Sequence, residues 1–372
     1  MGKSIIDIDL IKHYLNNYTV NSITYNGNDI NIFTVDGVVL WSSFEYVALD
    51  VSKITSDTYA GETTYTNESF ILLDIYPKAT GSSVRVTYGD LTKELTFTGT
   101  NAQQVFFGTF NGVSDEVDTP SSGRLTIEGE YKGFGVGGYR KSSSDKTSTA
   151  NHCSCITSIV SLSGIEMLPT YAFNKCSSIT NASIPNSVTT IPQYAFNECV
   201  SLAMASLPSD ITSIGNYAFN KCSNVQFTEL PEGVTSIGNY AFYDCRNTHI
   251  TEIPEGVTSI GENAFYWNLD DVNDKASYDL LILPSSLLEI GKSAFCKYVS
   301  NRNQSYGEAE YYSMYKNIIV RATTPPTIDN DRGVFGRGKG LDSITQITVP
   351  KGCGDAYKTA WSVYADKIVE EQ

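Results

Sequence analysis

Val234-Thr235-Ser236-Ile237-Gly238-Asn239-Tyr240-Ala241-Phe242 is one copy of a pattern that returns along the chain at a fixed distance. Its Ala-Phe pair occurs at Ala172-Phe173, Ala195-Phe196, Ala218-Phe219, Ala241-Phe242 and Ala264-Phe265, each 23 residues from the last, and again at Ala294-Phe295 after 30. Pro185, Pro208, Pro231, Pro254 and Pro284 keep that spacing, as do Ile191, Ile214, Ile237, Ile260 and Ile290. Each unit reads as a short strand ending in Leu/Ile-Pro, a turn, and then the quoted segment. A unit this short cannot bury its own apolar face, so successive units must stack as coils of a solenoid.

Stacking predicts columns. Phe173, Phe196, Phe219, Phe242, Phe265 and Phe295 are expected to form one ladder through the core. Cys176, Cys199, Cys222 and Cys245, each three residues after a column Phe, are expected to form another, buried and reduced, which Asn268 interrupts. Pro has no N–H to donate and ends each strand, and the Gly admits a turn that a Cβ would crowd. At the far end Ala356, Tyr357, Ala360, Trp361 and Tyr364 fall at helical spacing, predicting a short helix near residues 355–364 that covers the last coil.

Before the coils, residues 20–41 read as a three-stranded meander with reversals at Asn26-Gly27 and Asp36-Gly37, preceded by a short helix carrying Leu10, Ile11, Tyr14, Leu15 and Tyr18. From Phe44 to Tyr139, runs such as Phe70 to Tyr76, Val84 to Tyr88, Leu95 to Phe97 and Leu125 to Ile127 alternate with Gly-, Pro- and Ser-bearing turns, which suggests a β-sandwich. Ser142-Ser143-Ser144 and Thr147-Ser148-Thr149 read as a linker.

The repeat resembles the BspA-like leucine-rich-repeat proteins, common in gut and oral Bacteroidetes, in its Ile-Gly-x-x-Ala-Phe coil. The resemblance runs from about Cys155 to the C-terminus and includes Ala322-Thr323-Thr324-Pro325-Pro326 and the segment from Val349-Pro350 through Asp355-Ala356-Tyr357 to Trp361. It implies a leucine-rich-repeat solenoid and a role in adhesion or host interaction. A second resemblance lies earlier: Val105-Phe106-Phe107-Gly108-Thr109-Phe110-Asn111-Gly112, Thr119-Pro120-Ser121-Ser122-Gly123 and the stretch from Asp36-Gly37 to Trp41 are similar to segments of gut bacteriophage tail and surface proteins. The expected architecture is mainly β: an attachment segment (1–43), a β-sandwich (44–140), a Ser/Thr linker (141–154), the solenoid (155–350) and a C-terminal cap (351–372) that holds the capping helix.

Length and composition fit a multidomain β-rich protein, with 372 residues, 41% hydrophobic, and Tyr 24 and Phe 16 against Met 4. The net charge of -15 disfavours nucleic acid as a partner, since phosphate backbones require clustered Lys and Arg. No run of 18 apolar residues is present, so no membrane span is expected, and residues 1–7 read as neither a secretory signal nor a complete myristoylation site.

Motifs that imitate catalytic chemistry have plainer readings. Gly291-Lys292-Ser293 lacks the Gly five residues earlier that a phosphate loop needs, Ser286 standing there instead. Gly133 to Gly138 is followed by no helical pattern, as a dinucleotide loop would be. His152-Cys153-Ser154-Cys155 lacks a second ligand pair at finger spacing. Asp270-Asp271-Val272-Asn273-Asp274 lacks the alternating ligands and Gly of a calcium loop, and whether it holds calcium stays open. His13, His152 and His249 lie far apart, and no nucleophile is placed beside a base. No catalytic residue, metal or cofactor is therefore expected, and the chain is expected not to be an enzyme.

Two irregularities suggest where binding occurs. Phe265 to Pro284 takes 19 residues where other units take 12, and a longer insertion, Tyr298 to Tyr315, follows Phe295. The second holds Tyr306, Tyr311 and Tyr312 among Asn, Ser and Gly, a mixture of rigid aromatic contact and adaptable hydrogen bonding. With the residue before each Pro facing inward, strand alternation points Met204, Phe227, Ile250 and Leu280 outward as an apolar row. The favoured expectation is a phage virion protein of the tail or capsid surface. Its repeat arm would bind a host or mucosal surface protein or glycan, and its N-terminal region other virion proteins. The alternative is a bacterial cell-surface adhesin, and the third reading a glycan-degrading enzyme carrying a repeat module. Whether the chain forms a homo-oligomer stays open.

Overall fold

The computed structural model describes residues 22–26, 29–35, 38–42, 46–51, 70–88, 91–110, 113–114, 123–136, 138–140, 149–151, 156–162, 164–269, 278–299, 310–331, 333–336 and 338–372. Residues 10–18, most of the linker at 141–154, and the motifs at 152–155 and 270–274 lie outside them.

Strands dominate. Ser22–Asn26, Asp29–Val35 and Val38–Ser42 form an antiparallel meander. A five-stranded antiparallel sheet runs in the order Ile156–Leu162, Tyr46–Val51, Gly123–Gly129, Ser83–Tyr88, Leu91–Thr96. A second sheet has the order Tyr131–Val136, Phe70–Pro77, Gln103–Phe110, Val113–Ser114. Period-two alternation does the work in both: Val84, Val86 and Tyr88, Leu125 and Ile127, and Leu73 and Ile75 are buried, and they join one apolar core. Ile156–Leu162, which the sequence reading gives to the solenoid, pairs with Tyr46–Val51 of the first sheet.

The coils begin against that region. The Glu166 and Met167 N–H groups donate to the Lys132 carbonyl, and Phe134 meets Phe173 edge to face at 5.6 Å. From there Thr190–Ile191, Ser213–Ile214, Ser236–Ile237, Ser259–Ile260, Glu289–Ile290 and Thr327–Ile328 pair in parallel, one from each coil. The regular ladder thus lies after the Pro, at the Ile column. The stretches before Pro208, Pro231 and Pro254 form no regular strand; Tyr278–Leu283, before Pro284, forms one, pairing with Tyr315–Val320.

Backbone donors reach both ways between coils. From Phe173 to Phe242 the N–H of each column Phe, and those of the residues two before and two after it, reach carbonyls of the next coil, as in Tyr217 to Asn239, Phe219 to Ala241 and Lys221 to Tyr243 at 2.7–2.8 Å, while Gly215 reaches back to Ile191. Aiming alternate N–H groups along one axis requires left-handed residues, and Tyr171, Tyr194, Tyr217 and Tyr240 (φ 56° to 65°) and Lys175, Glu198, Lys221 and Asp244 (φ 59° to 62°) adopt that conformation. Each such residue costs about 1–2 kcal/mol, which the inter-coil hydrogen bonds offset. The Phe rings stack at 5.2–5.6 Å from Phe173 to Phe295, and Phe335 continues the column at 5.7 Å. Beyond Phe335 the chain forms a helix over Gly354–Ala360 and a 3-10 turn over Ser362–Lys367, whose Trp361 and Tyr364 rings lie 6.0 and 5.6 Å from Phe335.

Candidate functional site

The outward apolar row expected from strand alternation does not exist. Phe227 and Ile250 are 0% and 1% exposed and Met204 6%, and Phe227 packs edge-on against Phe219 and Phe242. Alternation fails because those stretches are not strands: Leu202, Met204 and Leu207 all turn inward, at spacings of two and three. Leu280, in the regular strand Tyr278–Leu283, is half-buried. Among the described residues the exposed large apolar side chains are Val200, Leu288 and Val369, which come from separate parts of the chain.

The insertions converge. Trp267–Leu269, Cys296–Val299 and Glu310–Ser313 form one small sheet, with Tyr298 opposite Tyr311 and Lys297 opposite Tyr312. Tyr311 and Tyr312 are half-buried there, and Tyr306 lies outside the described residues. Tyr315, from the same insertion, is buried and donates its hydroxyl to the Ile250 carbonyl.

Sequence reasoning missed a third column, two residues before each Phe. Tyr171, Tyr194, Tyr217 and Tyr240 stack face to face at 4.7 Å, within 8° of parallel. The next two positions hold Asn263 and Ser293, so the ladder ends at Tyr240. One residue after the Phe, another column changes the opposite way. Asn174, Asn197 and Asn220 form a buried amide ladder with Nδ2 to Oδ1 distances of 2.6 Å, and then Tyr243 and Tyr266 take over, stacked at 5.2 Å. Both changes were readable in the repeat alignment, as departures from identity within a column.

Where they meet, a hollow of about 490 Å³ opens, lined by Tyr240, Tyr243, Tyr266 and Tyr311 with Asn263, Lys292 and Ser293. Glu262 anchors its polar side, accepting from the Tyr240 hydroxyl at 3.2 Å, the Asn263 amide at 3.1 Å and the Lys292 ammonium. Burial pushes the Tyr240, Tyr243 and Tyr266 phenols up, with neighbouring Glu262, Asp244 and Tyr311 adding to it respectively, so all three stay protonated donors at neutral pH. A second hollow, about 440 Å³, lies on the first coils among small side chains such as Ala182, Ser183, Ala203 and Ala205.

The cysteine column is more than apolar filling. Cys199, Cys222 and Cys245 donate their thiols to the carbonyls of Phe173, Phe196 and Phe219 at 2.9–3.1 Å, so each sulfur satisfies a backbone acceptor of the preceding coil. Burial raises the Cys245 thiol well above its ordinary pKa. Among the described residues, no group of His, Cys, Asp and Glu is placed to hold a metal ion, and no helix is long and apolar enough to cross a membrane.

The class these features define is a parallel-coil repeat protein. Residues 146–270 match the family model described as the BspA type leucine rich repeat region, in six copies. No curated protein matches the sequence. Among solved structures, the chain is similar to a leucine-rich repeat protein from Bacteroides ovatus, with 21% identity, 65% of this chain and 71% of that one covered, and a TM-score of 0.31. It is also similar to a leucine rich cell surface protein from Faecalibacterium prausnitzii, with 18% identity, 59% and 74% covered, and a TM-score of 0.28.

Proposed function

We propose that this chain is a non-enzymatic BspA-type binding protein displayed on a bacterial cell surface, where its coils contact a host or mucosal surface. The observation that carries the reading is the match of residues 146–270 to six BspA-type copies, together with the coils from Phe173 onward, stacked in register around continuous side-chain ladders. Such a stack holds its shape over many coils and presents an extended face, the usual use of solenoids. In this reading the two N-terminal sheets form a sandwich that carries the arm, and the helix at Gly354–Ala360 with Trp361 caps it. The BspA-type repeat match supports the cell-surface reading over the virion one.

Two assays test it. An antibody raised against the coils should label intact producing cells, and the purified protein should be retained on a mucin-coated surface without hydrolysing the polysaccharide. Recovery of the chain in phage particles with no labelling of intact cells would overturn the location; turnover of the polysaccharide would overturn the non-enzymatic role.

A further inference from the structure

We propose that the hollow between Tyr240, Tyr243, Tyr266 and Tyr311 is a binding subsite for a neutral pyranose, a hexose or N-acetylhexosamine unit of a surface glycan. The inference rests on the surface-binding reading above and assigns it a place and a ligand chemistry.

The hollow arises from the sequence in one step. A column of rings 4.7 Å apart fills its side of each coil up to Tyr240, and at Asn263 and Ser293 the ring is replaced by a short polar side chain. Removing two rings from a close-packed column leaves a space two coils deep with the outer face of Tyr240 as one wall. The Tyr243–Tyr266 stack and Tyr311 from the insertion supply the others, Tyr311 lying 6.4 Å from Tyr266 and 5.6 Å from Tyr298. Its volume of about 490 Å³ falls in the range of small-molecule sites, which run from about 300 to 1,000 Å³.

The lining selects the ligand. A pyranose has an apolar C–H face and a polar hydroxyl edge. The site offers aromatic walls beside an amide, a serine hydroxyl, phenols, and the Lys292 ammonium, which is paired with Glu262. Glu262 neutralises Lys292, the one cation among the described residues that line the hollow, and the chain carries a net charge of -15, so the described lining offers an acidic sugar or phosphate no unpaired positive charge. An apolar side chain would strip water from these polar groups without replacing its hydrogen bonds. A neutral sugar satisfies both requirements.

The test uses the full chain and the methyl glycosides of glucose, galactose, mannose and N-acetylglucosamine, each titrated by saturation-transfer NMR and calorimetry, with an aromatic tripeptide in parallel. At least one glycoside should bind, with a Kd on the order of millimolar as suits so small a ligand. Asn263→Tyr places a ring where the column already accepts Tyr at the same backbone conformation, φ 52° against 56° to 65° in the four preceding coils. It should fill the hollow and weaken binding at least tenfold without lowering Tm. Tyr311→Ala, at the insertion wall, should weaken it at least fivefold. Uptake of none of the four glycosides, affinity unchanged in Asn263→Tyr, or binding of the tripeptide alone would overturn the proposal. Retention on mucin, measured alongside, separates the two readings: retention without glycoside binding overturns the subsite and leaves the surface-binding function, whereas failure of both overturns both.

Discussion

At the scale of single residues, the repeat works by giving each column one task. Phe219 is sandwiched between Phe196 at 5.3 Å and Phe242 at 5.6 Å, with Phe227 edge-on, so Phe219→Ala should open a cavity between coils and cost about 3–5 kcal/mol by urea unfolding. Glu229→Ala, at an exposed position, should cost little; equal midpoints for the two variants would mean that the ladder does not hold the coils. Half-buried Asn216 is no neutral position, because its side-chain oxygen accepts the Asn239 backbone N–H at 2.8 Å. Gly238 is fixed by proximity, since a Cβ there would lie 2.5 Å from the Asn216 nitrogen; Gly238→Ala should force the coils apart and lower Tm. Cys222, fully buried and bonded to Phe196, should resist native thiol labelling resolved by peptide mass, while half-buried Cys353 reacts faster; rapid modification of Cys222 would contradict the burial.

At the scale of elements, the period was legible and the parity was not. Identity at 23-residue spacing reports stacking directly, because each column residue meets its own counterpart in the next coil. Alternation within a coil reports facing only where a strand forms, and the segments holding Met204, Phe227 and Ile250 are irregular, so the apolar row taken to face out faces in. Phe335, 40 residues after Phe295, escaped notice because an insertion destroys the spacing while the ring column continues. The C-terminal element depends on similar contacts: Trp361 is fully buried and donates its indole N–H to the Pro326 carbonyl at 2.8 Å. Trp361→Ala should therefore lower Tm strongly and promote aggregation through the uncovered Phe335 coil, as light scattering would show. Glu370 accepts from the Gly352 and Gly354 N–H groups, which hold its carboxyl below the usual range. A depressed folded-state pKa stabilises above the unfolded value, about 4.3, and loses that contribution as pH falls through the folded one. The Tm gap between the parent and Glu370→Gln should thus be present at pH 7 and shrink below about pH 4.

At the scale of the molecule, regularity and its interruption have separate roles. The coils from Phe173 to Phe335 form a continuous ring column that meets Phe134 of an N-terminal strand at one end and the Trp361 and Tyr364 rings at the other. The hollow lies where three departures coincide: the end of the tyrosine column at Asn263, the change from Asn220 to Tyr243 in its neighbour, and the insertion that brings in Tyr311. The last of these marks Tyr311 in the sequence; the others are visible there as departures from column identity, but only stacking shows that a missing ring is a space. The crystal structure of Asn263→Tyr tests this account most directly. The introduced ring should lie parallel to Tyr240 at the 4.7 Å spacing of its column and fill the hollow. A ring turned out to solvent, with the Tyr240 face still open, would contradict it.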